Sequence, residues 1–397
     1  MNSQNLEIFF APCPRGLEVL LAQELRTLGG QDVRPTSGGV ECRGPFVLCY
    51  RLNLESRLAS RILWRVGVGA YRTEQDLYRL TFAQPWPERF SVQSFIKVRI
   101  IAQQSSLKSL DFATLRVKDA ICDRFVQECG ARPTVDKQRP DIPVVVYLEE
   151  QNATWYLDTS GAPLFKRGWR KAAGDAPIRE NLAAGILELT GWTPDQVLVD
   201  PMCGAGTFLI EAAFKGKQLS SGKGRNFAFS QFSNFDSHAW AQLRQIGDQG
   251  LAAGTPLALY GYDQNAQALE MARVNSRGLG FSEIHWQQED ALDVVPPATQ
   301  GVLVTNPPYG VRMGDHHELE EWYPKFGNAL KQRFAGWKAY IFTADLRVPK
   351  LIRLAPSRKI PLFNGPLESR LYEFQMVRGG NRKEVRLAKK AGDGREG

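Results

Sequence analysis

The chain has 397 residues, 43% of them hydrophobic and 23% charged, and a formal net charge of +8. The composition is globular and the length suits about two or three domains. No run reaches the ~18 apolar residues of a membrane span, and the N-terminus lacks a basic-then-apolar leader, so a cytoplasmic protein is expected.

The basic excess fits a nucleic-acid partner, although many enzymes of small molecules are mildly basic too. Cys13, Cys42, Cys49, Cys122, Cys129 and Cys203 are scattered with no CxxC pair, so buried thiols are expected rather than a zinc site or a disulfide frame. Histidine is confined to His238, His285, His316 and His317, and no metal is expected.

Residues 6–10 read as a strand, broken by Pro12 and Pro14. Residues 17–25 carry apolar side chains at helical spacing and end at Gly29-Gly30. Residues 40–42 form a second strand and 46–54 a helix, so residues 1–60 make a β-α-β-α unit of ferredoxin-like kind. Residues 61–68 and 95–102 alternate charged and apolar positions as half-exposed strands do. Residues 112–129 form an amphipathic helix with Leu115, Ala120, Ile121, Phe125 and Val126 for its inner face. Residues 144–148 and 154–158 are further strands of this second module, 61–160. Cations recur beside them at Arg51, Arg57, Arg61, Arg65, Arg99, Lys108, Arg116 and Lys118. Arg99 and Lys108 are candidates for contact with a phosphate backbone; the alternative for each is a solvated outer face.

Residues 165–171, Phe-Lys-Arg-Gly-Trp-Arg-Lys, form a joint. Lys166, Arg167, Trp169 and Arg170 could grip an RNA backbone or brace two domains. A helix is expected from Ala176, with Asp175 as N-cap and Pro177 in its first turn. Residues 181–377 alternate helices and strands, the pattern of a doubly wound α/β sheet. The strands are 196–200, 257–263, 284–289, 302–305, 339–343, 358–363 and 370–377. The last two, joined by Asn364-Gly365-Pro366, form an antiparallel hairpin because the link is too short for a helical crossover. An aromatic and polar insert between Phe214 and Pro256 could cap the mouth of the site. The tail, residues 378–397, is basic and nearly free of apolar residues, hence expected to be disordered, either attracting RNA or inert.

Chemistry concentrates at strand ends. Residues 197–213, VLVDPMCGAGTFLIEAA, read as strand, glycine loop and helix. The glycines admit a ligand close to the backbone, Thr207 can cap the helix, and no Gly-Lys-Ser/Thr closes a P-loop. Tyr260-Gly261-Tyr262-Asp263 ends the next strand in an acid placed for ribose hydroxyls. Glu289-Asp290-Ala291 follows the third, where Asp290 can accept from an adenine amino group. The fourth ends in Asn306-Pro307-Pro308-Tyr309-Gly310. The prolines cannot continue a ladder, hold the nearby carbonyls rigidly, and bring an aromatic ring beside them.

The series DPMCGAGTFLIEAA, GYDQN, EDA and NPPYG resembles the class I S-adenosylmethionine-dependent methyltransferases, and NPPY resembles those that methylate a planar, conjugated nitrogen. The joint FKRGWR…APIRENLAA and the insert GRNFAFSQFSNFD resemble more narrowly the THUMP-domain RNA guanine-N2 methyltransferases, in the stand-alone form of the bacterial 23S rRNA family. The resemblance runs from about Phe10 to Val377; Ala205 stands where many relatives have serine, and no second methyltransferase domain is expected after Val377.

It implies a Rossmann-like sheet of seven strands ending in an antiparallel hairpin (161–377), preceded by ferredoxin-like (1–60) and THUMP (61–160) modules. It implies S-adenosylmethionine held by Asp200, Pro201, Cys203, Gly204, Gly206, Thr207, Asp263, Asp290, Ala291 and Asn306, and catalysis by Asn306, Pro307, Pro308 and Tyr309. Arg179 and Asn181 would lie in a helix closing over the cofactor. The expected acceptor is N2 of a guanine in large-subunit rRNA. The alternatives are a guanine in tRNA, a glutamine amide in a protein, or a catalytically silent RNA-binding factor.

Overall fold

The computed structural model describes residues 6–172, 178–249, 256–308 and 315–377. They belong to two units, each built on a seven-stranded sheet. The first draws on Met1–Cys13, Glu18–Arg167 and Ser220–Gly250, the second on Pro14–Leu17, Gly168–Leu219 and Leu251–Gly397.

The strands of the first unit are β1 (Glu7–Pro12), β2 (Gln31–Thr36), β3 (Gly39–Gly44), β4 (Leu63–Ala70), β5 (Ile96–Gln103), β6 (Ile142–Glu149) and β7 (Asn152–Asp158). Their order is β2-β3-β1-β4-β7-β6-β5. β4 pairs antiparallel with β1 on one side and β7 on the other, so the stretches on either side of residue 60 share one sheet. β5 and β6 run parallel, and the connection between them contains the helix Leu110–Cys129. Ser109 caps its first turn by accepting from Phe112 N at 3.2 Å, and Gly130 ends it at φ +68°. Its buried face is Ala113, Val117, Ala120, Ile121 and Phe125. Leu115 and Val126, expected inside, are about half exposed because they fall off that stripe.

The insert packs into the core of the first unit. Phe229 is 1% exposed, its ring lies 4.6 Å from Tyr50, and Asp236 N donates to the Tyr50 hydroxyl at 2.8 Å. Arg225 donates to the carbonyls of Ala162, Pro163 and Leu164.

The second unit contains β8 (Leu198–Asp200), β9 (Leu259–Asp263), β10 (Ile284–Gln288), β11 (Val302–Thr305), β12 (Lys338–Thr343), β13 (Arg358–Asn364) and β14 (Leu367–Gln375), in the order β10-β9-β8-β11-β12-β14-β13. β8 to β12 are parallel; β14 is antiparallel to β12 and β13. Val199, Leu303, Ala339 and Ile341 pack on one face against Tyr323, Phe326 and Leu330 of the helix Asp315–Arg333. Their neighbours Leu198, Val302, Val304, Tyr340 and Phe342 are buried too, so the central strands β8, β11 and β12 are covered on both faces and read as continuous apolar runs. Asn364 pairs with Leu367 across a turn in which Gly365 takes φ +63°. Among the described residues no helix is long and apolar enough to cross a membrane.

Candidate active site

The chain runs from β8 outward to β9 and β10, then returns to the other side of β8 with β11. The carboxyl ends of β8 and β11 therefore flank the point where strand order reverses, the place where open α/β sheets bind ligands. The register fixes the level of each group. Asp200 lies opposite Gly261, Asp263 opposite Gln288, and Leu303 opposite Val199. Asp200, Asp263, Asp290 and Asn306 are thus all at or just beyond one edge of the sheet.

Asp200 is 2% exposed. Burial pushes its carboxyl up to about 7; the negative charge of Asp263 adds to the push, and the Met202 N–H, 3.2 Å away, opposes it. Pro201 is buried, and so is Cys203, whose thiol is held well above its usual range by burial. The loop is tied by its amides: Cys203 N to Tyr262 O at 2.9 Å, Gly206 N to Cys203 O at 2.8 Å and Gly204 N to Asp263 Oδ2 at 2.9 Å. Gly206 has φ +84°, and a Cβ there would lie 2.6 Å from the Trp286 ring. Gly204, at φ +52°, has open space on that side. Thr207 is not a cap: the helix Thr207–Gly216 has Gly206 at its N-cap, and the Thr207 hydroxyl accepts from Arg170 Nη2 at 3.0 Å.

Asp263 is half-buried and its Oδ1 accepts from Asn265 N at 2.9 Å. Asp290, also half-buried, turns back through Oδ1 to Leu292 N at 2.8 Å, beside buried Ala291. At the end of β11 the Asn306 Oδ1 is buried with no hydrogen-bond partner among the described residues. An oxygen so placed costs roughly 1–3 kcal/mol unless something donates to it, and such atoms ask for a ligand. Pro307 is buried and Pro308 exposed; Tyr309 lies outside the described residues.

The helix expected from Ala176 begins at Glu180, with Arg179 at its N-cap and no side-chain cap; the expected cap, Asp175, lies outside the described residues. The joint is mostly internal bracing. Arg167 is 5% exposed and donates to the carbonyls of Leu164 (2.8 Å) and Arg57 (2.6 Å). Trp169 is buried under the Arg170 guanidinium, 4.9 Å from its ring centre. Arg170 binds Glu180 Oε1 at 2.7 Å and Ile178 O at 3.2 Å besides Thr207. Lys166, Arg99 and Lys108 are exposed. Of the other cations, Arg61 pairs with Asp158, Arg65 with Glu41 and Arg51 with Glu55. Asn275 was not singled out in the sequence. It lies on the helix Ala266–Ser276, seven residues after Ala268 and three after Ala272, on the buried stripe. A polar side chain on an apolar stripe is the signal that could have found it.

A doubly wound sheet in this order, with an antiparallel penultimate strand, a glycine loop after β8 and acids after β9 and β10, defines a class I S-adenosylmethionine-dependent methyltransferase. Residues 167–373 match the family model described as RMKL-like, methyltransferase domain; residues 8–63 match an RlmL ferredoxin-like domain and 71–158 a THUMP domain. The chain belongs to this RMKL-like methyltransferase family.

It is similar to the Synechocystis sp. protein slr0064, 36% identical over 93% of this chain and 96% of that one. It is also similar to the ribosomal RNA large subunit methyltransferase K/L of Methylococcus capsulatus, 38% identical over 93% of this chain and 51% of the relative. The chain thus spans about half the length of the K/L protein. The solved structure of SMU.472 with S-adenosylhomocysteine superposes with a TM-score of 0.86 at 30% identity, over 94% of this chain and 99% of the other. Gly204 leaves open space beside the loop, and the half-buried carboxylates of Asp263 and Asp290 offer acceptors to hydroxyl or amino groups, a lining that fits S-adenosylmethionine.

Proposed function

We propose that the chain methylates the exocyclic N2 of a guanine in large-subunit ribosomal RNA. The observation that carries this reading is the buried Asn306 Oδ1 at the carboxyl end of β11, which has no hydrogen-bond partner among the described residues. The lone pair of a guanine amino group is delocalised into the ring, so the nitrogen is a poor nucleophile. The Asn306 oxygen and the Pro307 carbonyl accept its two N–H bonds, which orients the amine and favours the positive charge that develops on nitrogen. Asn306 is no base; the proton leaves to water. Tyr309 supplies a ring on which the base stacks. The loop 203–207 and Asp200 hold the aminoacyl part of S-adenosylmethionine, Asp263 the ribose, and Asp290 with Ala291 the adenine. Bound there, the cofactor supplies an electrophilic methyl group with a good leaving group, so neither a metal nor a covalent enzyme intermediate is needed.

RNA as the substrate class is supported by the THUMP match, the name of the K/L relative and exposed Lys166, Arg99 and Lys108. A guanine inside a stem must first be extruded, at a cost of roughly a few kcal/mol, which backbone contacts to the basic residues help to offset. The test is transfer of labelled methyl to isolated 23S rRNA, tRNA and protein, with mass mapping of the modified guanine. Label in 23S rRNA as N2-methylguanosine is expected. Label only in tRNA or in a glutamine side chain overturns the assignment.

A further inference from the structure

Asn275 is 1% exposed and uses both ends of its amide. Oδ1 accepts from Lys171 N at 2.8 Å and Ala172 N at 3.0 Å, while Nδ2 donates to Ala172 O at 2.9 Å and Ala205 O at 3.1 Å. A neutral amide is the side chain whose two acceptor sites and two donors match this set; a carboxylate cannot donate and a cation cannot accept. The Ala205 peptide sits between Gly204 and Gly206, both at positive φ. Glycines restrict the backbone least; the Gly206 N–H to Cys203 O bond orients the Ala205–Gly206 peptide from within the loop, and Asn275 Nδ2 holds the carbonyl end of the same peptide from outside it. The residue before the strap Lys171–Ala172 makes a second, independent tie to the same loop, through Arg170 and the Thr207 hydroxyl.

We propose that Asn275 is a positioning residue for methyl transfer. By joining the Lys171–Ala172 strap to the Ala205 carbonyl it fixes the shape of the loop edge that receives the cofactor. The inference rests on the reading of residues 203–207 as the cofactor loop. Asn275 itself touches neither cofactor nor substrate; it acts through the loop, and its loss is read in cofactor affinity ahead of the chemical step.

The test uses Asn275→Asp in the full chain, which keeps both acceptors, removes both donors and sets a carboxylate against two carbonyls. Binding of S-adenosylhomocysteine is measured by calorimetry from about pH 5.5 to about pH 8.5 beside wild type, with thermal unfolding as a check on folding. Affinity about tenfold weaker than wild type at the upper end is expected, recovering as pH falls, because the protonated carboxyl regains one donor. Taking the ratio to wild type at each pH removes the titration of Asp200. An unchanged affinity, or a loss equal at every pH, overturns the proposal.

Should the variant not fold, hydrogen exchange on wild type decides. Adding S-adenosylhomocysteine is expected to protect the Lys171 and Ala172 amides together with those of the loop. Protection confined to residues 203–207 overturns the coupling. Wild type that fails to bind S-adenosylhomocysteine overturns the cofactor reading, and this inference with it.

Discussion

On the β8–β9 side of the switch point the loop is bonded to the protein itself: Gly204 N to Asp263, Gly206 N to Cys203 O, Ala205 O to Asn275. On the β11 side the Asn306 Oδ1 is equally sequestered but has no partner among the described residues. The first arrangement is a shape completed in advance. Under the proposed function the second is an acceptor left for a donor that arrives with the substrate, so one side would hold a molecule and the other act on one, and each could be damaged without the other.

Asn306→Ala gives the largest separation. Methyl transfer should fall by ~10²–10³-fold, while S-adenosylhomocysteine affinity changes by less than about threefold; single-turnover transfer and calorimetry measure the two. Parallel losses would erase the contrast. Asp263→Ala removes an acceptor for ribose and also frees Gly204 N, so cofactor affinity should fall about 100-fold; a loss confined to turnover counts against this.

Gly206→Ala meets both a left-handed backbone and the Trp286 ring and should destabilise the chain by ~2–3 kcal/mol, whereas Gly204→Ala meets open space and should cost about 1 kcal/mol. Denaturant midpoints that do not differ would show that the two glycines serve alike.

Asp200 gives a smaller effect with a definite sign. Its carboxyl rises from 3.8 to about 7 in the fold. Between those values the folded chain keeps a proton that the unfolded chain releases, so stability falls as pH rises through that window. Asp200→Asn should flatten this slope in thermal melts, and an unaltered slope would place its origin elsewhere.

Smallest is the split between two cations of the joint. Lys166→Ala should reduce the salt slope of RNA binding by ~1 and leave stability alone. Arg170→Ala should lower the melting temperature without altering that slope. Identical behaviour would deny that one cation faces solvent while the other braces the fold.

The second unit is the more legible in the sequence because its central strands are buried and run into Asp200, Asp263 and Asn306, so apolar runs with polar stops mark them directly. β2 was not, since Gln31–Thr36 is a polar edge strand with one half-buried residue, and Pro35 is tolerated only at such an edge. The helix Glu74–Phe82 buries only Leu77 and Thr81, so its apolar stripe is faint and its sequence signal is the capping box of Thr73 and Asp76. In the site, residue types at strand ends were readable because register follows from the chain. The bracing by Arg167, Arg170 and Asn275 was not, because a buried cation and an exposed one look alike in one dimension. Arg170 meets Thr207 and Asn275 meets Lys171 only after the chain has folded.

The aromatic insert bears on synthesis. Tyr50 hydrogen-bonds to the amide of Asp236, 186 residues onward, and Phe229 and Trp240 complete the cluster around it. A chain emerging N-terminus first exposes Tyr50 and Trp64 well before Phe229, Phe232 and Trp240 exist, so the first unit cannot close until the whole of the second unit's glycine-loop segment, Gly168–Leu219, has been translated. Nascent chains of this protein should therefore stay protease-sensitive in their N-terminal third until about 240 residues, plus the length hidden in the exit tunnel, have been made.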